Sequence, residues 1–196
     1  MKKTFSTQEL TTMALLAALL CVSSYISIQL PFSAVPITAQ TLVINMIALL
    51  LKPKKAGITV GIWILLGLVG LPVFSGGKGG FGVLAGATGG YIIGYLAAAI
   101  IISLLKGNKN KIVRSTVSVI IGIPIIYAVG VPWMKVILNL GWPAALTTGL
   151  LPFLAGDIIK CIASVYICKP LYRVVNVSDE QVQLSAKKQK KDQKSV

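Results

Sequence analysis

Apolar residues are concentrated in six long stretches, separated by short polar or glycine- and proline-rich segments. A helix that crosses a bilayer needs about 20 mainly apolar residues, and the six stretches approach that length, although the second is short. They comprise residues 10–28, 38–51, 56–71, 88–105, 112–131 and 152–172. The pattern predicts an all-α integral membrane protein with six transmembrane helices and no room for a separate soluble domain.

The composition agrees with a membrane protein and argues against other classes. Of the 196 residues, 55% are hydrophobic and 12% are charged, the mean hydropathy is +0.83 and the formal net charge is +14. A soluble domain carries about twice this share of charged residues, and a disordered chain or a nucleic-acid-binding protein is less apolar. The chain has no His and only three scattered Cys, so we predict no catalytic centre, metal site or cofactor.

Positive charge is distributed unevenly between the two sides of the predicted spans. Most of the 19 Lys and Arg residues precede the first span, follow the sixth, or join spans two and three or four and five. The opposite side holds only Lys78 and Lys135. Because basic residues favour the cytoplasmic side, we predict that both termini are cytoplasmic. Lys2 and Lys3 resemble the start of a signal peptide, but Glu9 and the membrane-like remainder favour a retained first span.

The polar end of the chain, rich in Lys and Gln, differs from the rest. We divide the sequence into a six-helix transmembrane domain, residues 1–176, and a basic cytoplasmic tail, residues 177–196, which we expect to be disordered. The charge of this tail favours a general attraction to anionic membrane lipid over a specific binding role.

The segments opposite the basic loops are almost uncharged and rich in Pro, Gly and aromatic residues. They include residues 31–37, 72–82, 131–133 and 141–143. Such segments suit a cover over a small amphipathic ligand, although they could also pack on one another as a simple cap. The glycine run at 76–82 lacks the GxxxxGK[ST] pattern and follows a predicted span rather than a β-strand, which argues against nucleotide binding.

Asp157 and Lys160 are the strongest candidates for chemistry. Both lie well inside the last predicted span, and their spacing of three residues puts them on one helical face. Asp157 lies about 8 Å below the start of that span, a depth that fits the floor of a cavity open to the outside. An ion within the membrane costs at least about 2.5 kcal/mol and usually serves a ligand, a relay or a partner. The alternative is a salt bridge that only neutralises itself.

Five further residues are weaker candidates. Gln40, near the outer end of the second span, offers an amide group to the same cavity, and Lys78 offers a cation from the outer glycine-rich segment. Tyr91 could form an apolar wall with a polar tip, or could anchor its helix at the membrane interface. Ala14 and Ala18 form a small-residue stripe that lets another helix approach closely.

Three stretches together resemble the BioY family, the substrate-binding (S) components of energy-coupling factor (ECF) biotin transporters. They are VPITAQTL at 35–42, GLPVFSGGKGGFGVLAGATGGYIIGY at 70–95 and LLPFLAGDIIK at 150–160. The resemblance implies a six-helix protein of the bacterial cytoplasmic membrane that binds biotin in an outward-facing cavity. It also implies two partners on other chains, namely a transmembrane coupling subunit and a pair of ATPase subunits.

The resemblance also assigns roles to particular residues. The Asp and Lys of the sixth helix correspond to Asp157 and Lys160, and the AxxxA pattern that meets the coupling subunit corresponds to Ala14 and Ala18. Lys78 departs from the family pattern. The ureido group of biotin would suit an acceptor such as Asp157, and its carboxylate would suit a lysine, but the sequence does not assign either end of the ligand.

Two other functions compete with this interpretation. The first is an S component for another vitamin, such as thiamine or riboflavin; a cationic ligand such as thiamine would favour more than one acidic residue within the membrane. The second is a small intramembrane enzyme, for which nothing completes an acid–base pair of Asp157 and Lys160. A channel is less favoured than either, because no charged or carbonyl-rich motif repeats across the spans.

Overall fold

The computed structural model describes residues 6–106 and 112–192, and side chains within these ranges up to residue 172. The elements in chain order are α1 (Thr7–Ser23), β1 (Ser27–Ile28), β2 (Ile37–Thr38), α2 (Gln40–Leu50), α3 (Pro53–Leu68), α4 (Phe81–Ala85), α5 (Gly89–Leu105), α6 (Ile112–Ile137), α7 (Trp142–Gly149) and α8 (Leu151–Asp192). The expected helical architecture is therefore present. Residues 193–196 of the tail, and four lysines that support the predicted topology, lie outside the described residues: Lys2, Lys3, Lys109 and Lys111.

Each predicted span corresponds to one of the longer helices, but several ends are shifted. The prediction of helix was wrong at residues 27, 28 and 38, because β1 and β2 pair there as a short antiparallel hairpin. Helix α6 extends six residues beyond the predicted end and includes Pro124 and Pro132. Among the described residues, two regions are long and apolar enough to cross a membrane by themselves, α6 and residues 142–172.

Local sequence signals explain where several helices begin. Ser6 and Glu9 form a capping box at the start of α1, in which each side chain accepts a hydrogen bond from the other residue's backbone N–H. Helix α3 begins at Pro53, where the missing N–H of proline costs no helical hydrogen bond. The last helix passes residue 177 without a break, so the backbone does not mark the boundary at which we expected the tail to begin.

Helix α2 lies at the centre of the bundle. It contacts α1, α3, α5 and α8, and ten of its eleven residues are buried. A helix that is apolar on all sides is usually buried in a protein interior. The central position of α2 therefore accounts for its hydrophobic sequence. Because α2 contacts four other helices, its polar side chains can face side chains from several of them.

Helices α5 and α6 pack closely, and Gly94 permits this approach. A Cβ atom at Gly94 would lie 2.9 Å from the carbonyl oxygen of Ile126, a separation that real side chains do not adopt. Gly67 in α3 gives similar room to the ring of Phe74, since a Cβ there would lie 2.1 Å from a ring atom. Glycine at these positions brings the helices and the following loop into contact.

The Pro- and Gly-rich segments pack together over one end of the bundle. The Ser33 hydroxyl, in the loop of the β1–β2 hairpin, donates to the carbonyl oxygen of Thr148 in α7 over 2.8 Å. The N–H of Gly76 donates to the carbonyl oxygen of Ser24 over 2.9 Å. The indole N–H of Trp63 donates to the carbonyl oxygen of Val73 over 2.9 Å. These contacts form the cap that we considered, and the hairpin also covers the cavity described below.

Buried polar contacts join the helices at the opposite end. Lys55 of α3 forms an ion pair with Glu9 of α1. The buried ammonium group of Lys106 donates to the carbonyl oxygens of Leu49 and Leu51, each over 2.5 Å. These oxygens belong to the C-terminal turn of α2, where backbone carbonyls lack helical partners. The contacts therefore fix the end of the central helix.

Candidate ligand-binding site

A narrow cavity lies beneath the β1–β2 hairpin, between α2, α5, α6 and α8. Its side chains enclose about 20 Å³, so the cavity is almost closed in this structure. The lining is mostly apolar and aromatic, with a few polar groups that converge at one point, as is usual for small-molecule sites. The lining residues are Val35, Pro36, Thr38, Thr41, Tyr91, Tyr95, Ile126, Tyr127, Phe153, Asp157 and Lys160.

The carboxylate of Asp157 lies at the centre of the polar groups. Its Oδ1 accepts hydrogen bonds from the Thr41 hydroxyl at 3.2 Å and from Lys160 Nζ at 3.0 Å. Its Oδ2 accepts a hydrogen bond from the Tyr127 hydroxyl at 2.5 Å. Lys160 Nζ also donates to the Thr41 hydroxyl at 3.1 Å. Three helices, α2, α6 and α8, therefore hold one buried carboxylate in a fixed orientation.

The Asp157–Lys160 pair forms the salt bridge that we considered from the sequence, and its contact with a ligand stays a prediction. The two side chains form an ion pair along α8, and both also line the cavity. Asp157 is only 6% exposed. Burial of an ion pair is costly unless further hydrogen bonds satisfy it, and Thr41 and Tyr127 supply those bonds here.

This arrangement can bind a ligand that carries both N–H donors and an anionic or carbonyl group. A carboxylate offers about four lone-pair sites, and the described side chains fill three of those on Asp157. An ammonium group has three donors, and Lys160 directs two of them at Asp157 and Thr41. Asp157 can therefore accept a further N–H, and Lys160 can donate to a further oxygen.

Tyr91 is a wall of the cavity rather than an anchor at the edge of the bundle. Its side chain is buried, and its ring meets that of Tyr127 edge-on with the centroids 6.1 Å apart. Its hydroxyl donates to the carbonyl oxygen of Gly149 over 2.8 Å. The ring is therefore available as an apolar surface, while the polar tip holds the end of α7.

Gln40 and Lys78 do not line the cavity. Gln40 is fully buried, and its amide group donates to the carbonyl oxygen of Val73 at 3.3 Å and accepts from the Ser75 hydroxyl at 2.8 Å. Lys78 is exposed, and its carbonyl oxygen accepts a hydrogen bond from the N–H of Phe74. Both residues shape the outer loop after α3, so their direct contact with a ligand stays a prediction.

The sequence model of the BioY family matches residues 1–177. The chain belongs to the BioY family. The resemblance inferred from the three sequence stretches is thereby confirmed.

Named members of the BioY family are similar over most of the chain. The biotin transporter BioY2 of Lactococcus lactis is 36% identical over 154 residues, which cover 78% of this chain and 84% of the relative. The biotin transporter BioY of Thermotoga maritima is 34% identical over 167 residues, which cover 85% of this chain and 97% of the relative.

The fold is also that of a solved member of this group. A crystal structure of the S component for biotin from an ECF-type ABC transporter matches with a TM-score of 0.81 and 31% sequence identity. The match covers 88% of this chain and 95% of that chain. The expected S-component architecture is therefore supported by three-dimensional similarity as well as by sequence.

Sequence reasoning missed two hydroxyl groups of the site, those of Thr41 and Tyr127. Thr41 lies within the stretch at 35–42 that resembles the BioY family, and it follows Gln40 directly. Attention to every polar residue of that stretch could have found it. Tyr127 lies in the fifth predicted span with no polar motif around it, so only the packing of α6 against α8 reveals its contact with Asp157.

Ala14 and Ala18 lie on a face of α1 that the bundle leaves exposed. Leu10, Leu15 and Val22 extend the same exposed apolar surface. The stripe is therefore not used for packing between the described helices of this chain. It remains available to a helix from outside, as the BioY resemblance implies.

Proposed function

We propose that this chain is the biotin-binding membrane subunit of an ECF-type vitamin importer. The carboxylate of Asp157, held by Thr41, Tyr127 and Lys160 at the floor of an aromatic cavity, is the observation that carries the proposal. Membership of the BioY family and the names of its members support the choice of biotin. The chain captures the vitamin and does not transform it.

The chemistry of biotin suits the cavity. The fused ring of biotin is compact and partly apolar, so Tyr91 and Phe153 of the lining offer it suitable apolar surfaces once the cavity has widened. The ureido N–H groups are donors for Asp157, and the valerate carboxylate is an acceptor for Lys160. A charge-assisted bond at either end is about twice as strong as a neutral one.

Binding by the purified chain tests this proposal. Native mass spectrometry should detect a retained molecule of the mass of biotin, and calorimetric titration of ligand-depleted protein should give saturable binding. Thiamine and riboflavin serve as controls, since S components for those vitamins are the nearest alternative. Saturable binding of either control in place of biotin would identify a different S component.

In the proposed arrangement, six helices cross the bacterial cytoplasmic membrane and both termini are cytoplasmic. The apolar character of α6 and of residues 142–172, together with the uneven distribution of lysines, supports this topology. Single cysteines at Lys54 and Lys78, in a background without the native cysteines, test it. A reagent that does not cross membranes should label position 78 from outside intact cells and position 54 only after lysis.

Uptake requires partners on other chains. The proposed partners are a transmembrane coupling subunit, which packs on Ala14 and Ala18, and two ATPase subunits. The glycine-rich segment at 76–82 lacks a phosphate-binding pattern, so ATP hydrolysis belongs to those partners. Co-purification of the chain with the coupling subunit from cells that express all components tests the assembly.

A further inference from the structure

A separate groove lies on the outer surface of the bundle between α3 and α5. Gly57 and Ile58 form one wall, and Leu96, Ile100 and Leu104 form the other. The groove has a volume of about 430 Å³. It shares no lining residue with the cavity around Asp157, so it is a distinct surface.

The shape of the groove suits a narrow, flexible chain. Residues 96, 100 and 104 follow one another at intervals of four, so the apolar wall extends roughly 12 Å along α5. The lack of a side chain at Gly57 leaves room beside α5, since a Cβ atom there would lie only 3.2 Å from the Ile100 side chain.

One end of the groove is positively charged. Lys54 is exposed and lines that end, beside Leu104. Arg114 lies at the same end of α5, because its guanidinium group donates to the carbonyl oxygen of Leu105 over 2.7 Å. The acidic side chain described at this end of the bundle, that of Glu9, is paired with Lys55. No acidic side chain lines the groove within the part of the chain that the structure describes.

We propose that this groove binds one acyl chain of an anionic phospholipid, with the phosphate group at Lys54. The apolar wall and the cation at its end match the two parts of that ligand. The inference rests on the proposed membrane insertion, which places Lys54 at the cytoplasmic leaflet, where anionic lipids attract basic residues. It goes beyond the proposed function, because neither biotin nor the coupling subunit is the occupant.

Native mass spectrometry of the full chain in detergent tests the charged end. We expect dioleoylphosphatidylglycerol to form a one-to-one adduct at lower concentration than dioleoylphosphatidylcholine, which has the same acyl chains. Lys54→Gln should weaken the adduct with the anionic lipid roughly fivefold, the value of one basic residue near a membrane surface, and should weaken the phosphatidylcholine adduct less, because its choline group offsets the charge of its phosphate. Lys169→Gln, an exposed lysine of α8, is the matched control and should have no effect. Equal retention of both lipids by the wild type would overturn the proposal.

A second pair of variants tests the apolar wall. Leu104 lines the groove, whereas its neighbour Leu105 does not, and both are exposed. Leu104→Trp should lower the occupancy of both lipids severalfold, and Leu105→Trp should not. Unchanged occupancy in Leu104→Trp, or displacement of the lipid by inorganic phosphate alone, would contradict the proposed site.

The thermal midpoint of each variant confirms folding, and biotin affinity, measured separately, should not change. A failure of biotin binding would thus count against the proposed function and leave the lipid result standing.

Discussion

The carboxylate of Asp157 receives hydrogen bonds from side chains of three different helices. These bonds orient the carboxylate before any ligand arrives, whereas the nearly closed cavity has to widen to admit one. Thr41 is important to this geometry because its hydroxyl donates to Asp157 and accepts from Lys160 at the same time. The site thus offers a ligand an oriented acceptor beside an oriented cation.

Replacement of Asp157 by Asn should weaken biotin binding about ten- to a hundredfold. The reason is the loss of a charge-assisted hydrogen bond, which contributes about 1.5–3 kcal/mol. Calorimetric titration measures the change, and a thermal midpoint near that of the wild type shows that the variant folds. An unchanged affinity would remove Asp157 from the site. Lys160→Met is a poorer first test, since it leaves Asp157 buried without its partner.

Tyr127→Phe should lower the affinity for biotin severalfold, by about 0.5–1.5 kcal/mol. The substitution removes the donor to Asp157 Oδ2 and keeps the ring that packs against Tyr91. Tyr91→Phe is the matched comparison, because its hydroxyl bonds the backbone of Gly149 instead of the carboxylate. That second variant should lower thermal stability with little effect on affinity. Equal losses of affinity in both variants would show that Tyr127 acts only through general packing.

The sequence predicts the charged half of this site better than its neutral half. Asp157 and Lys160 are conspicuous because charge is costly within a membrane, and the structure places both in the cavity. The hydroxyls of Thr41 and Tyr127 carry no such signal, because a neutral hydroxyl costs less to bury than a charge and a threonine hydroxyl can bond a carbonyl of its own helix. Gln40 lies near the right end of α2, but its amide group is engaged by the outer loop.

The helices follow directly from long apolar stretches, whereas the segments between them do not. Residues 27, 28 and 38 lie at the ends of predicted spans, yet they pair as a hairpin because the chain reverses between Pro31 and Pro36. Helices α4 and α7 are five and eight residues long, too short for a periodic pattern to identify. The sequence therefore does not predict the cover of the cavity, which depends on contacts between distant segments, such as Ser33 with Thr148.

Replacement of Ala14 and Ala18 by Trp should distinguish the proposed surface for the coupling subunit from the proposed biotin-binding cavity. The stripe is exposed on α1, and two indole rings would prevent close approach of a partner helix. Biotin affinity of the isolated chain should survive, whereas assembly with the coupling subunit and uptake of labelled biotin should fall. The same substitution at Ile159 and Ile162, two exposed positions on α8, is the control. Loss of binding with intact assembly would place the stripe in the ligand pocket or the core.

The pairing of α1 with α3 should depend on pH through Glu9, which lies one residue before the first predicted span. Burial raises the pKa of Glu9, but hydrogen bonds from Lys55 and from the backbone of Ser6 outweigh it and hold the pKa below its ordinary value of 4.5. The stabilisation is therefore fully present above pH 4.5 and is lost as the pH falls through the lower pKa of the folded state.

Glu9→Gln should consequently lower the thermal midpoint at neutral pH by a few degrees, in line with about 1 kcal/mol for a partly exposed pair. Thermal unfolding in detergent between pH 3 and pH 7 measures the effect. The difference between wild type and variant should shrink as Glu9 becomes protonated. A difference that stays constant over this range would show that the loss does not come from the charge of Glu9, since Gln can also complete the capping box.

At the scale of the whole molecule, ligand capture and energy conversion are expected on different chains. Most of the polar chemistry of the bundle is concentrated at Asp157 on one side of α2, and the described residues include no cluster of three or more His, Cys, Asp or Glu side chains that could hold a metal ion. The exposed Ala14–Ala18 stripe and the groove beside Lys54 are available for contacts with other molecules. These surfaces fit the proposed roles of ligand capture, lipid binding and assembly with a partner.

The purified chain should therefore bind biotin without hydrolysing ATP. In proteoliposomes that contain this chain alone, added ATP should not drive accumulation of labelled biotin. Addition of the coupling subunit and the two ATPase subunits should produce accumulation that depends on ATP. The Asp157→Asn variant in the same assembly should need a correspondingly higher biotin concentration, because capture precedes transport. A preparation in which an inactive ATPase subunit replaces the active one excludes contaminating activity. Biotin-stimulated ATP hydrolysis by the single chain, at a purity that excludes other ATPases, would contradict the assignment of this chain as a capture subunit.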